Sequence, residues 1–445
     1  MTTTTRVAPS PTGLLQAGNG RAAVLNALYA RKTGGKFMLR IDDTDDTRST
    51  KEFEAAIIED MAWLGLAHDI FARQSDRVSL YQQAAEKLKA SGRLYPAYET
   101  ADELERRRKR QMAAHKPPVY DRAALALTDA DRARLESEGR KPHWRFKLTQ
   151  GKVRWNDLIR GAVEIDTATL SDPVLIREDG SFLYTLPSVV DDVDFAITHV
   201  IRGEDHVTNT APQIEIFEAL GATPPAFAHY ALFGAAEGGK LSKRAGALAL
   251  RALREDGIEP LALASYLAKI GTSDPVEPRT GLEALAAEFA FEKFGRAMAL
   301  FDTADLAILN GKLLHLLPYD TMAARLLARD ITGGAAFWDA VRPNLTAFDQ
   351  VADWWEVVVG PVTPALEDPA LAAKAAELLP AEPWDETTWT TLTKAVAAAT
   401  GAKGRALFHP LRLALTGRGD GPELKKLLPL IGRGRALARL KGETA

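Results

Sequence analysis

The chain has 445 residues, 46% hydrophobic and 26% charged, a composition of globular proteins in a length that calls for two to four domains. It has no cysteine, which excludes disulfides and thiolate metal ligands, and no apolar run of about eighteen residues, which speaks against a helical membrane span. The net charge of −3 hides an asymmetry: residues 401–445 hold ten Lys/Arg and three acids, so this segment is at +7 and the remainder at −10, which permits a polyanionic partner.

The opening MTTTTRVAPS lacks an apolar signal core, and a cytoplasmic location is expected. Residues 6–9 and 37–41 (FMLRI) read as short strands around a helix at 20–34, whose apolar stripe is Ala23, Val24, Ala27, Leu28 and Ala30. Strand, glycine turn, helix and strand form a βαβ unit, which predicts a parallel sheet with a ligand at the carboxyl ends of its strands. Further helices are expected at 50–64, capped by Ser49 or Thr50, and at 76–91. Near 95–98 the pattern changes to a charge-rich helix (101–115), a loop, and strands at 143–148, 152–155 and 161–165. This reads as an insertion between two halves of one α/β domain. Strand-like FLYTLPSVVDD (182–192) and ITHVIRG (197–203) bring the chain back, and a helix at 207–220 leads to FAHYALF (227–233). Beyond 250 the chain reads as helical throughout, with proline breaks from Pro318 to Pro383.

Four stretches carry chemistry. APSPTG (8–13) stops a strand abruptly, and Gly18, Asn19 and Gly20 open the next helix with small residues, so backbone N–H groups can approach an anion. LRIDDTDDTRS (39–49) sets Asp42, Asp43, Asp45 and Asp46 after a strand, where carboxylates can hold an amino group or magnesium-bound water, or cap the following helix. IRGEDHVTNT (201–210) places Arg202, Glu204, Asp205 and His206 after an apolar strand; an arginine there can grip a carboxylate. GGKLSKRAG (238–246) carries Lys240 and Lys243 in a glycine-flanked segment, suited to following phosphate charge.

In this order and spacing the motifs resemble those of class I glutamyl-tRNA synthetases, and GRALFHPLRLALTG (404–417) with GPELKKLLPLIGRGRALARL (421–440) resembles that family's helical C-terminal region. The resemblance implies a Rossmann-type α/β catalytic domain (1–95 and 183–250) with an α+β acceptor-stem-binding insertion (96–182). A stem-contact helical region (251–320) and an all-α anticodon-binding region (321–445) follow. It implies ATP-dependent ligation of L-glutamate to tRNA through an adenylate, with Mg²⁺ accompanying ATP and the protein acting as a monomer. Glutamate would meet Arg6, Ala8, Ser10, Asp42, Tyr184 and Arg202. ATP would meet Gln16, Gly18, Asn19, Asp205, Phe233, Lys240 and Lys243. The two signature motifs fall on Gln16-Ala17-Gly18-Asn19 and Lys240-Leu241-Ser242-Lys243-Arg244, and Arg405, Arg412, Arg433 and Arg435 are candidates for tRNA contact.

Three features depart from the family pattern. Gln16 stands where the first motif has histidine, and glutamine cannot become cationic. Asp42 stands where glutamate is common. Some relatives carry zinc in the insertion; with no cysteine, and with Ala97 and Tyr98 near where ligands fall, no metal site is expected here. The alternatives are a catalytically weak or silent tRNA-binding paralogue, motivated by Gln16, and an enzyme that glutamylates a non-standard tRNA target. A glutaminyl enzyme would have β-barrels where 320–445 reads helical.

Overall fold

Parallel strands need crossover connections, and the short apolar strands separated by helices supply them. The computed structural model describes residues 2–235 and 248–445. From the start run β1 (Thr4–Val7), α1 (Ala17–Lys32), β2 (Lys36–Ile41), α2 (Lys51–Trp63), β3 (Ile70–Arg73) and α3 (Val78–Ala90). An inserted block follows: β4 (Leu94–Ala97), α4 (Ala101–Ala113), α5 (Asp129–Ser137), β5 (His143–Phe146), the hairpin β6 (Lys152–Asp157) and β7 (Gly161–Asp166), and β8 (Val174–Ile176). The chain returns through α6 (Thr185–Asp194), β9 (His199–Gly203), α7 (Val207–Ala219) and β10 (Ala226–Tyr230). It continues through β11 (Phe233–Ala235), α8 (Leu250–Glu255), α9 (Pro260–Lys269), α10 (Leu282–Glu288) and β12 (Ala299–Phe301).

The main sheet has the order β10-β9-β1-β2-β3, and every pairing in it is parallel. All its strands but the edge strand β3, which is half-buried, bury nearly every residue, as a sheet covered on both faces requires: Phe37 to Ile41 are all buried in β2. Val24, Leu25 and Leu28 seal α1 against it. Thr50 caps α2, its hydroxyl accepting from the Phe53 N–H at 3.2 Å. The insertion contributes an antiparallel sheet, β4-β5-β8, and the β6–β7 hairpin, in register from Lys152↔Asp166 to Asp157↔Gly161.

Two expectations from the sequence are corrected. The strand-like stretch at 182–192 is largely helix α6. Pro187 lies in its first turn, where the missing N–H costs no helical bond, and Leu186 and Val189 lie buried at helical spacing. The stretch beyond 250 is not wholly helical: β12 pairs in parallel with β11, Phe233 opposite Ala299. A three-residue strand offers no alternation for a pattern to reveal.

The chain forms two units, one of Met1–Glu255 and Leu263–Asp302, the other of Asp256–Ala262 and Thr303–Ala445. Among its described residues the second is built from helices alone, from Thr303–Leu316 to Arg433–Leu440, around Phe337, Trp338, Leu392, Leu411 and Leu427. Its last helix is anchored by Arg439, which is fully buried and donates to the carbonyls of Val357, Leu415, Gly360 and Ala445.

One buried acid in the first unit sets up a pH effect. Asp60 on α2 is fully buried and neither of its carboxylate oxygens has a partner among the described residues. Burial pushes its carboxyl up to about 6, although Arg254 and Arg251 pull it down. Between its ordinary 3.8 and this value the folded state binds more protons than the unfolded one, so this group's contribution to stability falls as pH rises. Asp60→Asn is expected to stabilise the protein by about 1–3 kcal/mol at pH 8, with the difference shrinking below pH 5. Urea unfolding of both proteins across this range measures it.

Candidate active site

A parallel sheet presents the carboxyl ends of its strands, and the helix N-termini that follow them, along one edge. A cavity of about 280 Å³ opens there. Its wall takes Arg6 and Ala8 from the end of β1, Gly18 and Asn19 from the start of α1, Asp42 from the end of β2, Tyr184 before α6, Arg202 and Asp205 around the end of β9, and Phe233 on β11.

The start of α1 suits an anion. Its first turn carries no acidic side chain, and the Gly20 N–H, the fourth of the helix, bonds Gln16 O at 2.9 Å, leaving the three before it without a helical acceptor. A Cβ on Gly18 would meet nothing within 4 Å, so the backbone there faces open space.

Beside the cavity lies a layer of paired charges. Arg6 donates through Nε and Nη2 to both oxygens of Asp192, each at 3.2 Å. Arg40 grips Asp42 with Nε at 2.6 Å and Nη2 at 3.1 Å, and reaches Asp192 with Nη1 at 3.0 Å. Burial alone would pull the Arg40 guanidinium down, but Asp42, Asp192 and Asp191 around it push it up, so it stays charged. Burial pushes Asp42 up while Arg40 pulls it down; the two-pronged contact favours the ion pair. Asp191 is itself held by Gln74, Arg77 and Tyr81.

Arg202 is different. It is buried, and its bonded partners are neutral: His229 Nε2 at 3.1 Å from Nε, and Thr210 Oγ1 at 2.8 Å and Gln213 Oε1 at 2.7 Å from Nη2. Among the described residues no carboxylate bonds it. Burial, then the nearby Arg6, bring its guanidinium down to about 10, so it remains a cation at neutral pH. A buried cation without an anion is a receptor for one. Tyr184, next to it on the wall, bonds the Asn209 amide through its hydroxyl at 2.6 Å.

Sequence reasoning missed several of these side chains. Asp192 and Asp191 lie on α6, which read as a strand, and Arg40 lies inside a strand whose neighbours are apolar. Arg21 is clamped to the carbonyls of Ala231 and Ile270 and lies over the Tyr230 and Phe233 rings at 4.8 and 4.7 Å. No spacing rule links Arg21 to residues more than 200 positions away.

Of the expected site residues, Arg6, Ala8, Gly18, Asn19, Asp42, Tyr184, Arg202, Asp205 and Phe233 share the cavity wall, and Ser10 and Gln16 do not. The Gln16 amide turns back to Leu14 O at 3.1 Å. Ala17 is buried as the first residue of α1. Lys240, Leu241, Ser242, Lys243 and Arg244 lie outside the described residues. In the second unit Arg405 and Arg435 are exposed, while Arg412 and Arg433 bond the carbonyls of Pro422 and Pro380.

A split parallel sheet with an anion-ready helix start, joined in one chain to a helical unit, is the architecture of a class I tRNA synthetase. Residues 2–306 match the family model "tRNA synthetases class I (E and Q), catalytic domain", and residues 362–443 match "Anticodon binding domain". The chain is 64% identical over 441 residues to glutamate–tRNA ligase 1 of Parvibaculum lavamentivorans (99% of this chain, 98% of that protein). It is 60% identical over 442 residues to glutamate–tRNA ligase 2 of a Methylobacterium species (99% of each). A glutamate tRNA ligase from Elizabethkingia meningosepticum, crystallised in complex with its amino acid, matches with a TM-score of 0.84 at 26% identity, covering 99% of this chain and 98% of that one. The chain belongs to the glutamate–tRNA ligase family.

Asp192 joins two arginines, so replacing it leaves buried cations short of an anion. Asp192→Asn is expected to cost about 3–5 kcal/mol of stability, read as a lower urea midpoint with an unchanged slope.

Proposed function

We propose that this chain ligates L-glutamate to tRNA at the expense of ATP, through a glutamyl-adenylate. The observation that carries this reading is Arg202, a buried guanidinium in the cavity wall with only neutral partners. It suits a substrate carboxylate, with Arg6 alongside, and would leave the neutral amide of glutamine poorly compensated. Asp42, held by Arg40 yet still part of the wall, suits the substrate ammonium group. Tyr184 and the small residue Ala8 complete the glutamate end of the wall, and Ser10, also expected there, lies outside it.

ATP, with its Mg²⁺, would lie toward Gly18, Asn19, Asp205 and Phe233, its phosphates at the start of α1. The reaction needs no enzyme nucleophile: the glutamate α-carboxylate attacks the α-phosphorus, pyrophosphate leaves, and a ribose hydroxyl of tRNA then attacks the mixed anhydride. The chain supplies alignment and cationic stabilisation, including Lys240 and Lys243 in this reading. The insertion (96–182) would take the acceptor stem, 251–320 the stem, and 321–445 the anticodon end. We place the enzyme in the cytoplasm as a monomer.

ATP–pyrophosphate exchange with glutamate and tRNA present tests the reading; no exchange, with tRNA still bound, overturns it in favour of a silent tRNA-binding protein. Arg202→Met is expected to lower kcat/KM for glutamate at least tenfold to a hundredfold, by loss of a charge-assisted contact of about 1.5–3 kcal/mol. Gln16→His adds a group able to carry positive charge at the phosphate end and is expected to raise exchange by roughly ten- to a hundredfold. An unchanged or lower rate would count against this account of Gln16. Replacing the exposed Arg405 and Arg435 together by glutamate is expected to weaken tRNA about tenfold at moderate salt and flatten the salt dependence, measured by filter binding.

A further inference from the structure

The side chain that orients Arg202 is itself held from the inserted hairpin. His229 and Asp157 are both fully buried, and His229 Nδ1 lies 2.5 Å from Asp157 Oδ2. The other oxygen, Oδ1, accepts three backbone N–H groups: Ile159 at 3.1 Å, Arg160 at 3.0 Å and His229 at 3.1 Å. Burial would raise the Asp157 carboxyl, but these bonds, first that from His229, bring it down to about 2. Burial holds His229 below its ordinary value despite the acid beside it, so the ring is neutral. An ionised Asp157 offers no proton, so Nδ1 must carry the imidazole hydrogen and Nε2 must be the acceptor. That acceptor faces Arg202 Nε at 3.1 Å.

We infer that Asp157 and His229 are a positioning pair: they fix the imidazole tautomer that accepts Arg202 Nε–H, and so set the orientation of the guanidinium toward the substrate carboxylate. The inference rests on the glutamate reading of Arg202 given above. Nε is committed to His229 and Nη2 to Thr210 and Gln213, which leaves Nη1 as the end without a partner among the described residues. Asp157 closes strand β6, and the turn after it is tied to β10 by Leu158 N–H to Phe227 O at 2.9 Å and to the turn after β9 by Arg160 to Glu204 at 2.7 Å. Glutamate affinity is therefore coupled to the seating of the hairpin.

Asp157→Asn separates positioning from bulk. The amide oxygen stays with the three backbone N–H groups, so the NH₂ faces His229 Nδ1 and drives the hydrogen to Nε2, donor against donor with Arg202. The expected result is a glutamate KM raised roughly ten- to a hundredfold with the ATP and tRNA KM values within about twofold of wild type. Adding His229→Gln, whose carbonyl oxygen occupies the Nε2 position and has no tautomer to invert, is expected to recover most of that loss. A purely structural role for Asp157 predicts no rescue. An unchanged glutamate KM in Asp157→Asn, or a double variant no better than the single one, overturns the inference. Nitrogen-15 NMR of His229 in the wild-type protein tests it independently of turnover: Nδ1–H supports the pair, and Nε2–H overturns it. Wild-type protein without glutamate-dependent exchange but with the Nδ1–H tautomer would sink the functional reading and leave the pair standing.

Discussion

Arg202 is a cation buried among neutral acceptors, and that imbalance organises the site. Removing a guanidinium from water is costly unless an anion compensates it. Among the described arginines of this edge, Arg6 and Arg40 have Asp192 and Asp42, Arg21 has two backbone carbonyls and the faces of Tyr230 and Phe233, and Arg202 has an imidazole, a hydroxyl and an amide. Among the described residues Arg202 is thus left without a carboxylate, its charge to be satisfied from outside the chain, in a cavity sized for a small molecule. The reading as a glutamate-activating enzyme starts there, and membership of the glutamate–tRNA ligase family agrees with it.

The paired layer around Asp192 gives the cavity its rigidity. Two arginines from adjacent strands converge on one carboxylate of α6, and Asp191, next in sequence, binds Gln74, Arg77 and Tyr81 from the other side. Side chains held by several charge-assisted bonds lose little further entropy when a ligand arrives. The helix start beside them contributes partial positive charge from the backbone itself, which does not depend on the residue at position 16. Gln16 therefore removes one possible cation from the phosphate end without dismantling it.

The basic excess of residues 401–445 divides into two kinds of arginine. Arg439 is spent on four backbone carbonyls and holds the last helix in place, and Arg412 and Arg433 are tied to the carbonyls of Pro422 and Pro380. Arg405 and Arg435 stay exposed, although Arg435 also reaches Ile431 O at 3.4 Å. Local charge counted along the sequence overstates what is free to meet a polyanion, because carbonyls at helix ends compete for guanidinium groups.

The sequence by itself determined the class of the fold and nine residues of the cavity wall. Proline and glycine mark the ends of β1 and α1, apolar runs mark the parallel strands, and the ordered motifs put Arg6, Asp42, Arg202 and Asp205 at or just after strand ends and Gly18 at the helix start beside them, where a parallel sheet must gather them. These are local signals, set by backbone sterics and periodicity. Only the tertiary structure decided which charges are neutralised. Asp192 had to be on a helix to meet Arg6 and Arg40, and Asp157 had to come from an inserted hairpin to meet His229. Such partnerships join residues 72 to 186 positions apart, and burial, which gives them their energy, is a property of the packed molecule that no spacing along the chain encodes.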